Sequence, residues 1–504
     1  MMFTDETLES VAVESQWRRS HKLKQESKSC QTVALKSAEV EAQAVYRSES
    51  ATQTDPHGQL SHDPHLTCDS ELESPGLVDF LNRVTDVVIK ELAKNSRSHA
   101  FDGFEVNWED RNRTVLCIHC LQYCEARQRK LHVTSLSWNC TGSVIACAFG
   151  RTDDGDWTTE KSFVCTWNLH RRGLDPKRPD VIIDSATSVM CVSFHPSRPS
   201  LIAGGLYSGE VVVWDTSQTQ DPVLAQTGMS PDTHRDPVCQ VYWVPGGRRG
   251  EFAVLSAGSG GRLLLWTIGE DSKLVLSSGY ALSSQQLPHS STGTKARGGS
   301  AVGISSLDLS PWDRDVFLVG SEGGLVLKCS FSATEVAAVT PDGESVTLRA
   351  PAQVSFSPRC GPVHDLHCSP FHRNLFLSVG TDGFAHLHSL LQPQPLMSLR
   401  VSDSYVFAVR WSPTRPLLFA AATGEGTVQI FDLGLMSLRP LATIGQDSGG
   451  QPIYCLEFNP RLPQLLAAGN NNGTVNVWQL STDLTEQGLR EAAQLEQIAN
   501  GVAE

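Results

Sequence analysis

The chain has 504 residues, 41 Lys+Arg against 55 Asp+Glu, and a formal net charge of −14. Hydrophobic residues make up 40% and charged ones 19%, so a sizeable core is affordable and a mostly disordered chain is excluded. The acidic balance argues against a general phosphate-neutralising surface, which needs clustered Lys and Arg, and no nucleic-acid partner is expected.

The first residues, Met1-Met2-Phe3-Thr4-Asp5-Glu6, show neither a basic n-region nor an apolar h-region. Apolar runs such as Leu417–Ala422 stay far below the roughly 20 residues that span a bilayer. A soluble intracellular protein with no membrane partner is the expectation, and its 14 Cys then read as reduced thiols.

Residues 1–73 are polar and aperiodic, with few large ring-bearing anchors, and are expected to stay unfolded when alone. Two stretches within them share a Gln-Thr pair after a small residue: Lys28-Ser29-Cys30-Gln31-Thr32, and Thr52-Gln53-Thr54. They lie 53−31 = 22 residues apart. A strand-former of this kind adds itself to an exposed sheet edge, main-chain hydrogen bonds giving affinity and alternate side chains specificity. Both are similar to the Thr-Gln-Thr recognition sequences of the dimeric hub light chain of dynein, with Cys30 in place of the usual first Thr.

Residues 74–96 predict an amphipathic helix. Ser74-Pro75 is an N-cap followed by Pro at the first helical position. Leu77, Leu81, Val84, Val88 and Leu92 then recur at helical spacing as one stripe, with Asp79 read into the first turn and Lys94 near the end. The stripe suits either packing on a neighbouring domain or docking of a partner.

From 97 to 483 the sequence is repetitive. Seven apolar-polar-apolar triplets end at Trp138, Phe194, Trp243, Leu309, Cys368, Trp411 and Phe458. Each precedes a small apolar stretch, a turn, and an alternating strand that closes at Trp167, Trp214, Trp266, Cys329, His388, Phe431 or Trp478. Five of the intervals are equal, 214−194, 329−309, 388−368, 431−411 and 478−458 all being 20. The other two, 266−243 = 23 and 167−138 = 29, carry their surplus at Pro245–Arg248 and Arg151–Asp156, where hairpin loops belong. Asp382-Gly383 and Asn472-Gly473 read as positive-φ hairpin pairs. Such units are small antiparallel sheets that cannot bury both faces alone, and radial stacking is the solution.

These features resemble a seven-bladed WD-repeat β-propeller, although Cys329 and His388 depart from the closing Trp and the usual Gly-His dipeptide is missing. Val115–Leu121 is the candidate outer strand closing the ring against the last blade. Residues 484–504 read as a C-terminal tail. The expected fold class is therefore all-β, a propeller preceded by a disordered arm and a short helix.

The search for catalytic chemistry finds no phosphate loop, His-Glu-x-x-His pair or nucleophile elbow. Gly258-Ser259-Gly260-Gly261 precedes a strand and reads as a hairpin turn. Cys117, His119, Cys120 and Cys124 carry zinc-type donors, but residues of one strand alternate between faces and no second ligand pair follows. His364, His367, His372, His386 and His388 surround one blade without a carboxylate cluster. No metal, cofactor or enzymatic activity is expected.

The order of parts resembles dynein intermediate chains. Ser98–Trp108 and Cys368–Leu377 look like the branch of that family serving dynein-2, the ciliary motor. The resemblance implies a noncatalytic subunit for retrograde intraflagellar transport and cilium assembly, found in the cytoplasm, cytoskeleton and cilium, including axoneme and basal body or centrosome. It also implies a propeller seated on the heavy-chain tail and an arm joined to a second, different intermediate chain by hub-type, roadblock-type and Tctex-type light chains. Lys28, Ser29, Cys30, Gln31, Thr32, Thr52, Gln53 and Thr54 would hold the hub light chain, and the stripe from Leu77 to Leu92 the roadblock type. The competing reading is a WD-repeat adaptor outside dynein, of the ubiquitin-ligase or chromatin kind.

Overall fold

The computed structural model describes residues 75–96, 115–151, 161–218, 220–246, 250–269, 271–288, 300–338, 346–435, 437, 439–445 and 450–501. The chain divides into two units, Met1–Phe104 and Glu105–Glu504, and each is taken by itself.

In the first unit the described residues form one helix, α1 (Pro75–Ser96). The helix begins at Pro75, so Asp79 falls beyond the first turn, which contains no acidic residue; Lys94 does lie in the last turn.

The second unit is a seven-bladed propeller of four-stranded antiparallel sheets. The first strands of the blades are His132–Trp138, Val189–Phe194, Val238–Pro245, Ile304–Leu309, Val363–Cys368, Val406–Trp411 and Ile453–Phe458. They neighbour one another in a closed cycle and so form the inner ring. Blade 7 takes its fourth strand from the other end of the sequence: β1 (Val115–Gln122) pairs antiparallel with Thr474–Leu480, Val115 opposite Leu480 and Gln122 opposite Thr474. The early strand covers the edge that Thr474–Leu480 would otherwise expose and ties the start of the propeller to its last blade.

The equal sequence intervals have a simple physical source. In every blade the last triplet residue, one second-strand residue and the closing residue stand opposite one another in a row across three strands. The rows include Phe194–Ile202–Trp214, Leu309–Phe317–Cys329 and Phe458–Leu466–Trp478. Pairing fixes the register, and only loops absorb insertions: blade 3 between Pro245 and Phe252, blade 1 between Gly150 and Ser162. The substituted closing residues Cys329 and His388 are as buried as the tryptophans, at 0% and 1% exposure.

Turn chemistry departs from the sequence reading in one respect. Gly383 and Gly473 take positive φ, at 77° and 69°, but Asp382 and Asn472 do not. Gly473 N–H bonds back to Asn470 O at 3.3 Å, so the glycine is the last residue of a four-residue turn, not half of a left-handed pair. A Cβ on Gly209, at φ 89°, would stand 2.1 Å from His234 O, and one on Gly324 would stand 2.4 Å from Arg359 O. Backbone of the following blade closes over these turns, which is a second reason for glycine there.

The C-terminal residues form α3 (Thr482–Thr485) and α4 (Glu491–Asn500). Leu495 of α4 is buried in a cluster with Leu417 and Leu433 of blade 6, with Phe371 and Ile498 packed beside it. No described helix is long and apolar enough to cross a membrane.

Candidate functional site

The arm positions Lys28, Ser29, Cys30, Gln31, Thr32, Thr52, Gln53 and Thr54 lie outside the described residues. Of the helical stripe, Leu77 is within α1, but its side chain lies outside what is described. Leu81, Val88 and Leu92 are 50%, 51% and 61% exposed, and Val84 is half-buried. Val78, Phe80, Val87 and Ile89 are exposed as well. At 100° per residue they widen the stripe to an apolar arc of roughly 200°, about twice what a surface helix needs. Lys90, Asp86 and Asp79 fall on the opposite side.

Each sheet of the propeller is stitched to the next around its inner ring. Ser137 Oγ accepts Phe194 N–H at 2.9 Å, Asp308 Oδ2 accepts Cys368 N–H at 2.6 Å, and His367 Nδ1 accepts Trp411 N–H at 2.9 Å. In all three the acceptor is the middle residue of one triplet and the donor the last residue of the next. At blade 6 the middle residue is Arg410, which pairs with Asp365 of blade 5 and bonds Glu457 Oε1 of blade 7 at 2.7 Å. Burial drives Asp308 up to about 7 against the favourable Cys368 N–H.

Two blades are locked through the closing residue. In blade 3, Ser256 Oγ accepts from Trp266 Nε1 at 2.8 Å and meets His234 Nε2 at 2.7 Å. His234 was missed in the sequence because no Gly-His dipeptide marks it. Blade 5 rebuilds the lock from other residues: Arg359 Nη1 donates to Ser378 Oγ at 2.6 Å, and His388 Nε2 meets the same oxygen at 2.9 Å. Arg359 also holds Asp382 through two nitrogens, at 2.5 and 3.1 Å. The position equivalent to Ser256 in blade 1 is Cys147, and there Trp167 Nε1 is buried without a hydrogen-bond partner among the described residues.

The five histidines near blade 5 therefore serve separate tasks. His367 joins two blades, His388 completes the lock, His386 Nδ1 meets Ser398 Oγ at 2.7 Å, and His372 Nε2 lies 3.5 Å from Glu496 of α4. His364 faces the central channel. Burial holds His367 and His388 down to about 3 and His386 to about 4. Cys117 and Cys120 on β1 and Cys124 at the start of α2 (Cys124–Gln128) are exposed, Cys117 Sγ lying 3.6 Å from His119 O. Among the described residues no group of three or more His, Cys, Asp or Glu is arranged to hold a metal ion.

A ring of seven sheets closed by β1, with residue-specific locks between a loop, a second strand and a third strand, defines the WD-repeat propeller class. Residues 393–432 and 438–479 match the WD domain, G-beta repeat family, and residues 154–242 match the family described as dynein axonemal intermediate chain 3 WD40 domain. The chain is 53% identical to cytoplasmic dynein 2 intermediate chain 2 of Mus musculus, over 98% of this chain and 92% of that one. It is 52% identical to the Homo sapiens protein of the same name, over 99% and 92%. Against the cytoplasmic dynein 1 intermediate chain of Drosophila melanogaster, identity is 25% over 68% of this chain and 47% of the other. The chain belongs to the dynein intermediate chain family, and its likeness within that family is to the dynein-2 members.

Proposed function

We propose that this chain is a noncatalytic intermediate chain of a dynein-2 motor, acting in retrograde intraflagellar transport and cilium assembly. The propeller seats on the heavy-chain tail. The arm and α1 gather dimeric hub-, roadblock- and Tctex-type light chains, which join this chain to a second, different intermediate chain. The observation that carries this reading is near-complete collinearity with the dynein-2 relatives at 53% identity. The wide apolar arc of α1 supports the docking role.

The arm supplies the rest of the argument. Two weak sites on one tether make the second engagement intramolecular, so avidity exceeds either affinity by roughly a hundredfold. Replacing Gln53 alone should then weaken light-chain assembly only in part, and replacing Gln31 and Gln53 together should abolish it by calorimetry. Unchanged binding after the double replacement would reject the site assignment. Co-precipitation from ciliated cells that recovered no dynein chain would reject the motor assignment.

A further inference from the structure

Every inner strand carries a bulge at the same place. Register shifts fall between Val363 and Asp365, Val406 and Ala408, and Ile453 and Cys455, and at the matching positions of the other four blades. The bulged residues are Thr134, Met190, Cys239, Ser305, His364, Phe407 and Tyr454. A bulge re-aims a side chain, and bulges gather beside functional sites. Here the ring of seven is lopsided: three consecutive blades present rings and the other four do not.

The rings form a connected arc. His364 lies 5.0 Å from Phe407, Phe407 lies 5.0 Å from Tyr454 at 76°, and Tyr454 lies 5.9 Å from His132 at 78°. Asn471 fixes one end, its carbonyl 2.7 Å from His132 Nδ1 and its Oδ1 accepting Tyr454 Oη at 3.2 Å. All four rings are half-buried and line a cavity of about 420 Å³ in the channel. Asp365, Arg410 and Glu457 line the same cavity, two carboxylates against one guanidinium. Arg410 occupies Oε1 of Glu457, whose side chain keeps 31% exposure against 6% for Asp365. His364 Nε2 is buried there without a hydrogen-bond partner among the described residues.

We propose that this half of the channel mouth is a receptor for a single arginine side chain on an extended segment of a partner protein, its guanidinium lying against the His364–Phe407–Tyr454 arc and its N–H donors reaching Glu457. Charge decides the class of occupant, since an anionic group would be repelled by the excess carboxylate and a neutral one would leave it uncompensated. Burial pushes the Asp365 and Glu457 carboxyls up although Arg410 acts the other way, so a second cation would favour the charged form of Glu457, the more exposed of the two. Ring faces attract a cation within about 6 Å of the centroid, and a planar, weakly hydrated guanidinium stacks there better than a compact ammonium. The cavity is within the 300–1,000 Å³ range of ligand sites but near its small end, which suits one side chain.

The test uses the full chain and a fluorescein-labelled Gly-Ser-Gly-Arg-Gly-Ser-Gly peptide, with citrulline or Lys replacing Arg as comparisons, read by fluorescence anisotropy. The arginine peptide should bind at least tenfold tighter than the citrulline peptide, and Phe407→Ala and Glu457→Gln should each bring the two within twofold. Thermal melting would establish that each variant is folded; if Glu457→Gln is not, Phe407→Ala and His364→Ala decide, both being at the mouth. Equal binding of arginine and citrulline peptides, or a preference surviving these changes, would overturn the proposal. A lysine peptide binding as tightly as arginine would overturn the guanidinium assignment.

Discussion

Trp411 donates its backbone N–H to Nδ1 of His367 at 2.9 Å, so the imidazole of blade 5 holds the first strand of blade 6 in place. The bond exists only while Nδ1 carries no proton. Burial, aided by Arg410, holds His367 down to about 3 from the usual 6.5, and His234 and His388 are also lowered to about 3. A depressed histidine contributes stability that is fully present above 6.5 and is lost as pH falls from 6.5 toward 3, because only the unfolded chain takes up the proton. Each such histidine costs about 2 kcal/mol by pH 5. Asp308, raised to about 7, works in the opposite sense, as do Asp365 and Glu457, also raised by burial, and these offset part of the loss as they protonate. Urea midpoints should therefore fall between pH 6.5 and pH 5. His367→Asn, which keeps an acceptor but cannot titrate, should fall less by about 2 kcal/mol; parallel curves for the two proteins would show that His367 does not couple to pH.

Blade 5 gives a second prediction. The Arg359 side chain is 2% exposed and engages Asp382, Ser378 and Phe384 O. Arg359→Ala leaves the Asp382 carboxylate without its cation, at a cost of about 3–5 kcal/mol. Blade 3 shows the alternative lock, His234–Ser256–Trp266. Arg359→His combined with His388→Trp should recover half or more of the loss in urea unfolding, whereas Arg359→His alone should recover less.

How far the sequence reaches follows from these same residues. The position of His388 was legible because it stands opposite Phe376, and strand pairing keeps that distance constant from blade to blade. His234 and Arg359 were not, because they lie in connections between blades, whose lengths vary freely and carry no period. The pairing of Arg410 with Asp365 and Glu457 was equally hidden: its members are more than 40 residues apart and meet only when the ring closes. The aromatic arc did have a signal, since His364, Phe407 and Tyr454 each precede the end of a triplet by four residues, yet an alternating strand pattern gives no hint that a bulge turns them inward.

Arg415 anchors the C-terminus. It bonds Asp432 at 3.0 Å, pairs with Glu491 of α4, and donates to Asp483 O at 2.8 Å. Glu491 is only 7% exposed, so Arg415→Ala leaves a buried carboxylate unpaired and should cost about 3–5 kcal/mol. The loss should be local at first: hydrogen exchange in 491–500 should quicken well before that of the inner strands. Uniform acceleration across the propeller would show instead that α4 is integral to the ring.

Helix α1 yields the sharpest separation of folding from function. Val88 and Leu92 are 51% and 61% exposed, and most of a helix's stability in a protein comes from packing of its apolar face. Val88→Asp removes apolar area from the proposed interface and buries a charge when the partner binds, which should weaken binding of a roadblock-type light chain by about 2 kcal/mol, or roughly thirtyfold. The propeller belongs to the other unit, so its melting transition should not move. Calorimetry and thermal unfolding on the same preparation check both halves. A shifted propeller transition would make α1 part of that fold, and unaltered affinity would place the light-chain contact outside the Leu81–Leu92 stripe.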